Sequence, residues 1–278
     1  MLEQLPVLLL PWFAEHRRDL PWRRDREPYH VWLSEIMLQQ TRVEAVRGYY
    51  LRFLERLPDI AALASAPEDV LLKLWEGLGY YSRVRNLQKA AQCVMEQHGG
   101  EFPQELSAIR ALPGIGDYTA GAICSICFGL PTPAVDGNVL RVVSRLTVCA
   151  DSPADVRVRR RIGEELSAVY PAGHCGDFTQ ALMELGATVC LPNGAPQCGA
   201  CALRSPRAGD GAAVPDKAAK KAPPHRAAHR FRAAVRRPAR RLQTSGPWPA
   251  RRAVAAAGRA RQAGNGGGAP AGGAVGRA

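Results

Sequence analysis

Two acidic residues stand in segments that suit acid and base chemistry. Glu35 lies in WLSEIMLQQT, residues 32–41, where most of its neighbours along the chain are apolar. Desolvation of a carboxyl group in an apolar helix raises its pKa, as a general acid requires. Asp136, in VDGNVLRVVSRL, supplies a second carboxyl group just before an apolar helical pattern. The alternatives are that Glu35 faces solvent and that Asp136 or Asn138 only caps its helix.

A glycine-rich turn lies between these two segments. In LPGIGDYTAGAI, residues 112–123, Gly114 and Gly116 follow a proline, and Asp117 or Thr119 can open the next helix. Glycines at this spacing permit a tight turn that leaves several backbone N–H groups at a helix N-terminus, where an anion can bind. With a helix on each side, the turn resembles the helix-hairpin-helix that clamps DNA phosphate. The alternative is an ordinary turn between core helices.

Three cysteines in the segment CLPNGAPQCGAC could bind a metal. Seven residues separate Cys190 from Cys198, and two separate Cys198 from Cys201. Closely spaced thiolates in a cytosolic protein are typical of metal or iron–sulfur ligation. The alternative is three unrelated thiols. The chain has eight cysteines at irregular spacing, which favours reduced thiols in a cytoplasm over a disulfide framework.

The elements that would position these residues are helices. Apolar residues recur at helical spacing in residues 44–55, 67–76, 82–97 and 156–168, and aromatic residues make up only 6% of the chain. Sustained strand alternation is absent, so we predict an all-α fold. No apolar stretch is long enough for a membrane span and no basic segment precedes the first apolar one, which favours a protein of the bacterial cytoplasm.

The charge is distributed unevenly along the 278 residues. The formal net charge is +12, yet residues 225–278 contain 12 arginines and no acidic residue, whereas residues 1–203 hold 20 basic and 23 acidic residues. If the folded part binds nucleic acid, it must therefore use local basic patches. We expect residues 208–278 to form a disordered basic tail. This tail is either an arm that binds phosphate or the product of an out-of-frame reading.

Five segments, in order, resemble the catalytic part of the adenine DNA glycosylases of the MutY type, members of the helix-hairpin-helix superfamily. The resemblance covers residues 20–203 and is carried by LPWRRDREPYHVWLSEIMLQQTRV, EGLGYYSRVRNL, LPGIGDYTAGAI, VDGNVLRV and GDFTQALMELGATVC. It implies a six-helix barrel with the hairpin over residues 23–132, packed on an iron–sulfur cluster domain of residues 1–22 and 133–207. The implied activity is removal of adenine mispaired with 8-oxoguanine or guanine in double-stranded DNA, in base excision repair. Nothing in the sequence indicates an oligomer.

The resemblance also assigns catalytic roles. Glu35 falls on the family's acid, which protonates N7 of the flipped adenine. Asp136 falls on the carboxylate that stabilises the oxocarbenium-like sugar by charge or through a transient adduct, and Asn138 would order it. Tyr118 stands where bifunctional relatives such as endonuclease III carry a nucleophilic lysine. Because tyrosine cannot form a Schiff base, we predict a monofunctional enzyme with little β-lyase activity.

Other matched positions would bind the DNA. Gln180 would read the edge of adenine, while Gln40 and Tyr80 would wedge into the duplex beside the lesion. The pocket entry would be formed by Arg18, Trp22 and Arg23.

The predicted cofactor departs from the family pattern. The fourth cysteine of the family's cluster motif is replaced by Arg207, and a protonated guanidinium is a poor ligand. We therefore expect the [4Fe–4S] cluster on Cys190, Cys198 and Cys201 to be weakened, oxygen-sensitive or missing. Cys175 could substitute only if the start of its helix lies nearby.

The C-terminal part departs as well. The family's Nudix-like domain, which recognises 8-oxoguanine, has no counterpart after about Ala222. Its loss should weaken discrimination of 8-oxoguanine from guanine more than base removal itself. Two other functions stay open: a catalytically silent or unstable DNA-binding remnant, and an endonuclease III-like lyase for oxidised pyrimidines, which Tyr118 and Glu35 disfavour.

Overall fold

The structure is a computed structural model in which every regular element of the described part is a helix, and this confirms the all-α prediction. None of these helices is long and apolar enough to cross a membrane. The expectations for Arg207 and for the tail, residues 208–278, lie outside the described part. The described residues are 2–149, 151–152, 155–193 and 195–204.

Eleven α-helices follow one another through the described residues. The helix predicted at 82–97 is found with those bounds, and the one predicted at 156–168 ends one residue earlier. The α-helices are α1 Leu5–His16, α2 Pro28–Leu38, α3 Val43–Arg56, α4 Ile60–Ser65, α5 Glu68–Leu74, α6 Ser82–Gln97, α7 Leu106–Ala111, α8 Asp117–Phe128, α9 Gly137–Leu146, α10 Val156–Ser167 and α11 Cys175–Thr188. Short 3-10 helices cover Leu2–Gln4, Pro21–Arg23 and Cys198–Ala200.

The larger hydrophobic core is built by α2 to α8. Trp32 of α2, Phe53 of α3, Trp75 after α5 and Ile123 of α8 are fully buried in it. Phe53 and Trp75 meet edge to face with ring centroids 6.0 Å apart, an arrangement that aromatic pairs favour. This core fixes α2 and α8 against each other.

A second hydrophobic core joins distant parts of the chain. Leu9 and Phe13 of α1 pack with Val143 of α9 and with Phe178 and Leu185 of α11. The N-terminal helix therefore folds back onto helices that follow the larger core in sequence. A smaller buried cluster consists of residues of α2 and α8 together with Ala134, which precedes α9.

Glycines let α11 approach its neighbours closely. A Cβ atom at Gly186 would lie 2.5 Å from Cβ of Asn138, and one at Gly176 would lie 2.8 Å from Cα of Ile126. Real Cβ atoms essentially never come so close, so a larger residue would push α11 away from α9 or α8. The close approach brings side chains of α11 next to Asp136, which lies at the start of α9.

Candidate active site

A cavity of about 340 Å³ opens between α2, α8, α9 and α11. This volume is within the range of pockets that hold small organic groups. The cavity brings together nine of the residues that the sequence singled out, although they come from distant parts of the chain. These residues are Arg18, Trp22, Arg23, Glu35, Gln40, Tyr118, Asp136, Asn138 and Gln180.

Glu35 is a buried carboxyl group in the wall of this cavity. Only 7% of the residue is exposed, so the solvent-facing alternative does not hold. Burial raises the pKa of Glu35 to about 7, because the charged form loses hydration. A hydrogen bond from Tyr118 and the charge of Arg23 oppose the rise, while the negative charge of Asp136 adds to it. The group can therefore carry a proton near neutral pH.

Tyr118 connects α8 to this carboxyl group. Its hydroxyl donates a hydrogen bond to Oε2 of Glu35. Burial and the neighbouring carboxylates raise the pKa of Tyr118 well above its usual value, so the phenol stays protonated and remains a donor. No lysine lines the cavity among the described residues.

Asp136 both caps a helix and faces the cavity. Its Oδ1 accepts a hydrogen bond from the backbone N–H of Val139 at 2.7 Å, and its Oδ2 accepts one from Asn138 Nδ2 at 2.7 Å. Burial raises the pKa of Asp136, and these hydrogen bonds together with the charge of Arg141 oppose that rise. Asp136 therefore caps α9 and also lines the cavity, so the two interpretations of this residue do not exclude each other.

Glu184 is a residue of this site that the sequence reasoning missed. Only 1% of Glu184 is exposed. Its carboxylate forms ion pairs with Arg18 Nε at 2.7 Å and with Arg23 Nη2 at 2.8 Å. Burial alone would raise the pKa of Glu184, but the two arginines outweigh it and lower the pKa to about 2. The signal in the sequence was an acidic residue inside the apolar segment QALMELGATVC of α11.

The remaining wall residues of the cavity differ in how firmly they are held. Trp22 is 7% exposed and meets Tyr50 edge to face, with ring centroids 5.5 Å apart. Gln180 lies one turn before Glu184 on α11, and its Nε2 donates to Gly176 O at 3.3 Å. Trp22 is therefore fixed by the larger core, whereas the side chain of Gln180 makes one hydrogen bond to the described residues, a long one within its own helix.

Gln40 and Tyr80 share an unusual backbone conformation. Gln40 has φ 59° and Tyr80 has φ 48°, and both lie in the left-handed region that L residues rarely adopt. Gln40 lines the cavity, while Tyr80 is 66% exposed and is not among the lining residues. The structure therefore places only one of the two predicted wedge residues at the cavity.

The glycine-rich turn lies outside the cavity, between α7 and α8. Gly114 has φ 78°, and a Cβ there would lie 2.7 Å from Cβ of Asn86, so only glycine fits without movement. Gly116 precedes α8, where no side chain caps the helix, and nothing would contact a Cβ at this residue within 4 Å. Open space thus adjoins the residue before α8, and Asp117 in the first turn of this helix forms an ion pair with Arg110.

The three cysteines do not form a complete four-ligand site among the described residues. Burial raises the pKa of Cys201, and the charges of Cys190 and Cys198 add to this rise. The three sulfur atoms therefore lie close enough to interact electrostatically. No group of three His, Cys, Asp or Glu side chains in the described ranges is arranged to hold a metal ion. Arg145 Nη1 donates to Cys190 Sγ at 3.1 Å. Cys175 instead donates to Pro171 O at 3.3 Å. The described donors therefore do not fit a [4Fe–4S] cluster.

Known proteins of one superfamily resemble this chain. The HhH-GPD superfamily of base excision DNA repair proteins matches residues 33–167. The adenine DNA glycosylase of Homo sapiens is 45% identical over 206 residues, which cover 71% of this chain and 38% of that protein. The adenine DNA glycosylase of Buchnera aphidicola subsp. Baizongia pistaciae is 40% identical over 198 residues, which cover 71% of this chain and 56% of that protein. The chain thus spans about half or less of the length of these relatives.

Solved structures agree with the fold. A thermostable thymine-DNA glycosylase is 30% identical, with a TM-score of 0.65, over 72% of this chain and 92% of that one. A non-covalent endonuclease III–DNA complex has a TM-score of 0.60 at 23% identity over the same shares, which supports the fold alone. The chain belongs to the HhH-GPD superfamily of base excision DNA repair proteins, and within it the sequence is similar to the adenine DNA glycosylases.

Proposed function

We propose that this chain is a monofunctional DNA glycosylase that removes adenine mispaired with 8-oxoguanine or guanine in double-stranded DNA. The observation that carries the proposal is the buried Glu35, which faces the second carboxyl group, Asp136, in one cavity. The similarity to adenine DNA glycosylases supports adenine as the base. The monomeric state, the cytoplasmic location and the domain boundaries given above stay predictions.

Glu35 acts as the general acid in this proposal. With a pKa of about 7, a large fraction of it is protonated at neutral pH, and it donates this proton to N7 of the extruded adenine. Protonation draws electrons from the glycosidic bond into the base, so the bond from C1′ to N9 breaks and adenine leaves. Water then adds to C1′ and loses a proton to solvent, and Glu35 takes up a proton from solvent, which completes the hydrolysis.

Asp136 stabilises the positive charge that develops on the sugar. Its two hydrogen bonds, from Val139 N and Asn138 Nδ2, favour the ionised form and fix the direction of the carboxylate. A fixed negative charge in a site that excludes water stabilises an oxocarbenium-like transition state better than mobile solvent does. A carboxyl group that carries a proton near neutral pH thus lies in the same cavity as one whose charged form accepts two hydrogen bonds, as acid and stabiliser require.

Tyr118 supports the monofunctional assignment. A phenol offers no amine for a Schiff base with C1′, and no lysine lines the cavity among the described residues. We therefore assign strand cleavage, if any follows, to later alkali treatment and not to this chain.

The DNA side of the proposal uses four groups of residues. Gln180 reads the adenine edge, and the backbone N–H groups after Gly114 and Gly116 bind phosphate. Gln40 and Tyr80 fill the space that the extruded base leaves in the duplex. The pocket entry is formed by Arg18, Trp22 and Arg23.

Single-turnover adenine release tests this function. Duplexes would carry adenine opposite 8-oxoguanine or opposite guanine, with alkali added or withheld before strands are separated. We expect strand breaks only after alkali, and loss of release in Glu35→Gln with Glu96→Gln, an exposed residue on α6, as control. Full activity of Glu35→Gln would refute the acid role. Binding without release by the unchanged chain would indicate a silent DNA-binding remnant.

A further inference from the structure

Arg83 reaches two segments that are far apart in sequence. It is the second residue of α6, and its Nη1 donates to Ile36 O at 2.9 Å and to Gln39 O at 2.6 Å. Its Nη2 donates to Leu78 O at 2.9 Å and to Gly79 O at 3.2 Å. One guanidinium group thus bridges the end of α2 and the loop before α6.

The end of α2 needs such a partner. The last carbonyl groups of an α-helix have no partner within the helix and carry partial negative charge. At α2, which ends at Leu38, these groups include Ile36 O, and the guanidinium of Arg83 supplies both hydrogen bonds and charge there. Glu35 precedes Ile36, so the same contact holds the helix turn that carries the proposed acid.

The two bridged segments each lead into a left-handed residue. Gln40 follows Gln39, and Tyr80 follows Gly79. Val148 is the only other non-glycine residue with positive φ in the described part of the chain. Such a conformation costs free energy that surrounding contacts must offset. Arg83 supplies such contacts to both segments, through its hydrogen bonds to their carbonyl groups.

Aromatic rings complete this connection. The guanidinium carbon of Arg83 lies 5.6 Å from the ring centroid of Tyr80 and 5.5 Å from that of Trp75. Trp75 is fully buried, and its Nε1 donates to Gly79 O at 3.1 Å. Tyr80 is 66% exposed, so its ring rests on the cation and still presents a surface to solvent.

We propose that Arg83 is a positioning residue that holds Gln40 and Tyr80 as one preformed wedge for duplex DNA. This inference rests on the proposed function, because the proposed substrate is a DNA duplex into which the two exposed side chains can insert. A preformed wedge needs no ordering when DNA binds, so more of the binding energy can serve base extrusion. Lysine cannot substitute, because its ammonium group has no planar fork to reach both sets of carbonyl groups.

Amide hydrogen exchange on the full chain tests the connection without DNA. In Arg83→Lys, exchange should accelerate on the order of tenfold in residues 37–41 and also in residues 78–81. The control Arg85→Lys should change neither segment, since Arg85 is paired with Glu68 at the surface. Acceleration in one segment alone, or in neither, would overturn the proposal.

A second variant guards against misfolding of Arg83→Lys. Tyr80→Leu removes only an exposed ring, yet it should accelerate exchange a few-fold in residues 37–41, which do not contain it. Exchange that changes only in residues 78–81 would show that the segments are independent, contrary to the proposal.

Adenine release separates positioning from a general structural role. On a duplex with adenine opposite 8-oxoguanine, Arg83→Lys should slow single-turnover adenine release on the order of tenfold. The rate should recover when adenine lies in a one-nucleotide bulge, because that base is already unstacked. An equal loss on both substrates would refute the positioning role. If the unchanged chain releases no adenine from either duplex, the proposed function fails, and hydrogen exchange still decides the role of Arg83.

Discussion

The hydroxyl of Tyr118 donates a hydrogen bond to Oε2 of Glu35, across 83 residues of sequence. The contact joins the second residue of α8 to the last turn of α2, inside the cavity that also holds Asp136. It has a chemical consequence, because a hydrogen bond to a carboxylate stabilises its charged form. Tyr118 therefore opposes the rise that burial causes in the pKa of Glu35.

Removing that hydroxyl should move the pH dependence of adenine release. In the unchanged chain, the rate should fall as pH rises through about 7, because Glu35 loses its proton there. In Tyr118→Phe, the pKa of Glu35 rises further, so the midpoint of this fall should move to higher pH. Single-turnover rates between pH 5 and 9 measure the shift. A midpoint that moves to lower pH would contradict this role of Tyr118.

Glu35→Gln should stabilise the protein at alkaline pH. The pKa of Glu35 is about 7 in the folded chain against an ordinary value of 4.5, so proton binding favours the folded state. That contribution is complete below about pH 4.5 and is lost as pH rises through about 7. At pH 8 the variant, which has no charge to bury, should gain on the order of 2 kcal/mol in free energy of unfolding.

Urea unfolding of both chains at pH 5 and pH 8 measures this gain. The tyrosine hydroxyl can still donate to the amide oxygen of glutamine, so the hydrogen bond is kept. The difference between the chains should be small at pH 5. An equal difference at both pH values would show that the ionisation of Glu35 is not its source.

Glu184→Gln should have the opposite effect on stability. The variant leaves Arg18 and Arg23 beside a neutral partner, and breaking a buried ion pair typically costs about 3 kcal/mol. Because the pKa of Glu184 is lowered to about 2, its contribution is present above the ordinary value of 4.5 and is lost as pH falls towards 2. Urea unfolding at pH 7 measures the loss.

The control for this variant is Glu164→Gln on α10. Glu164 is exposed and lies 3.8 Å from Arg160, and exposed pairs of this kind contribute about 0–1 kcal/mol. Comparable losses in Glu164→Gln and Glu184→Gln would mean that burial of the Glu184 network does not stabilise the fold. Adenine release should also fall in Glu184→Gln, because both arginines line the cavity.

The iron content of an Arg207→Cys variant tests whether the missing fourth cysteine of the motif limits cluster binding. Cys190, Cys198 and Cys201 supply three thiolates, one fewer than a [4Fe–4S] cluster takes in the family pattern. We expect Arg207→Cys to bind more iron and acid-labile sulfide than the unchanged chain after anaerobic reconstitution. Arg204→Cys is the matched control, since it adds a thiol at another spacing. Equal iron in all three chains would show that the fourth thiol is not what limits loading.

Much of the site could be predicted because its signals are local. An apolar run around Glu35 favours a desolvated carboxyl group in a helix, and α2 is buried from residue 31 to residue 37. Asp136 precedes an apolar pattern, and it caps α9 through Val139 N. Both signals lie within a few residues of the group concerned, which is the range over which periodicity and capping act.

Other parts of the site depend on contacts that no local pattern contains. Glu184 meets Arg18 and Arg23 across 166 and 161 residues, so its charge partners could not be assigned before the fold was known. The acceptors of Arg83 are backbone carbonyl groups, which every residue carries and which the sequence therefore does not mark. The left-handed conformations of Gln40 and Tyr80 carry no sequence signal either, because neither residue is a glycine.

Gly186→Ala tests whether close approach of α11 to α9 sets the site. A Cβ at this position would lie 2.5 Å from Cβ of Asn138, so the helices must separate, and overpacking of this kind typically costs about 1–3 kcal/mol. The matched control is Gly163→Ala in α10, where a Cβ would only touch Val135 Cγ2 at 3.8 Å.

Opposite signs are expected for the two substitutions. Alanine is the better helix former, so Gly163→Ala should gain about 0.5–1 kcal/mol in free energy of unfolding, while Gly186→Ala should lose stability despite the same gain in propensity. Because Asn138 orients Asp136 through the hydrogen bond from its Nδ2, adenine release should fall in Gly186→Ala alone. Stabilisation by both substitutions would mean that α11 can shift away from α9 at little cost and that its close approach does not hold Asp136 in place.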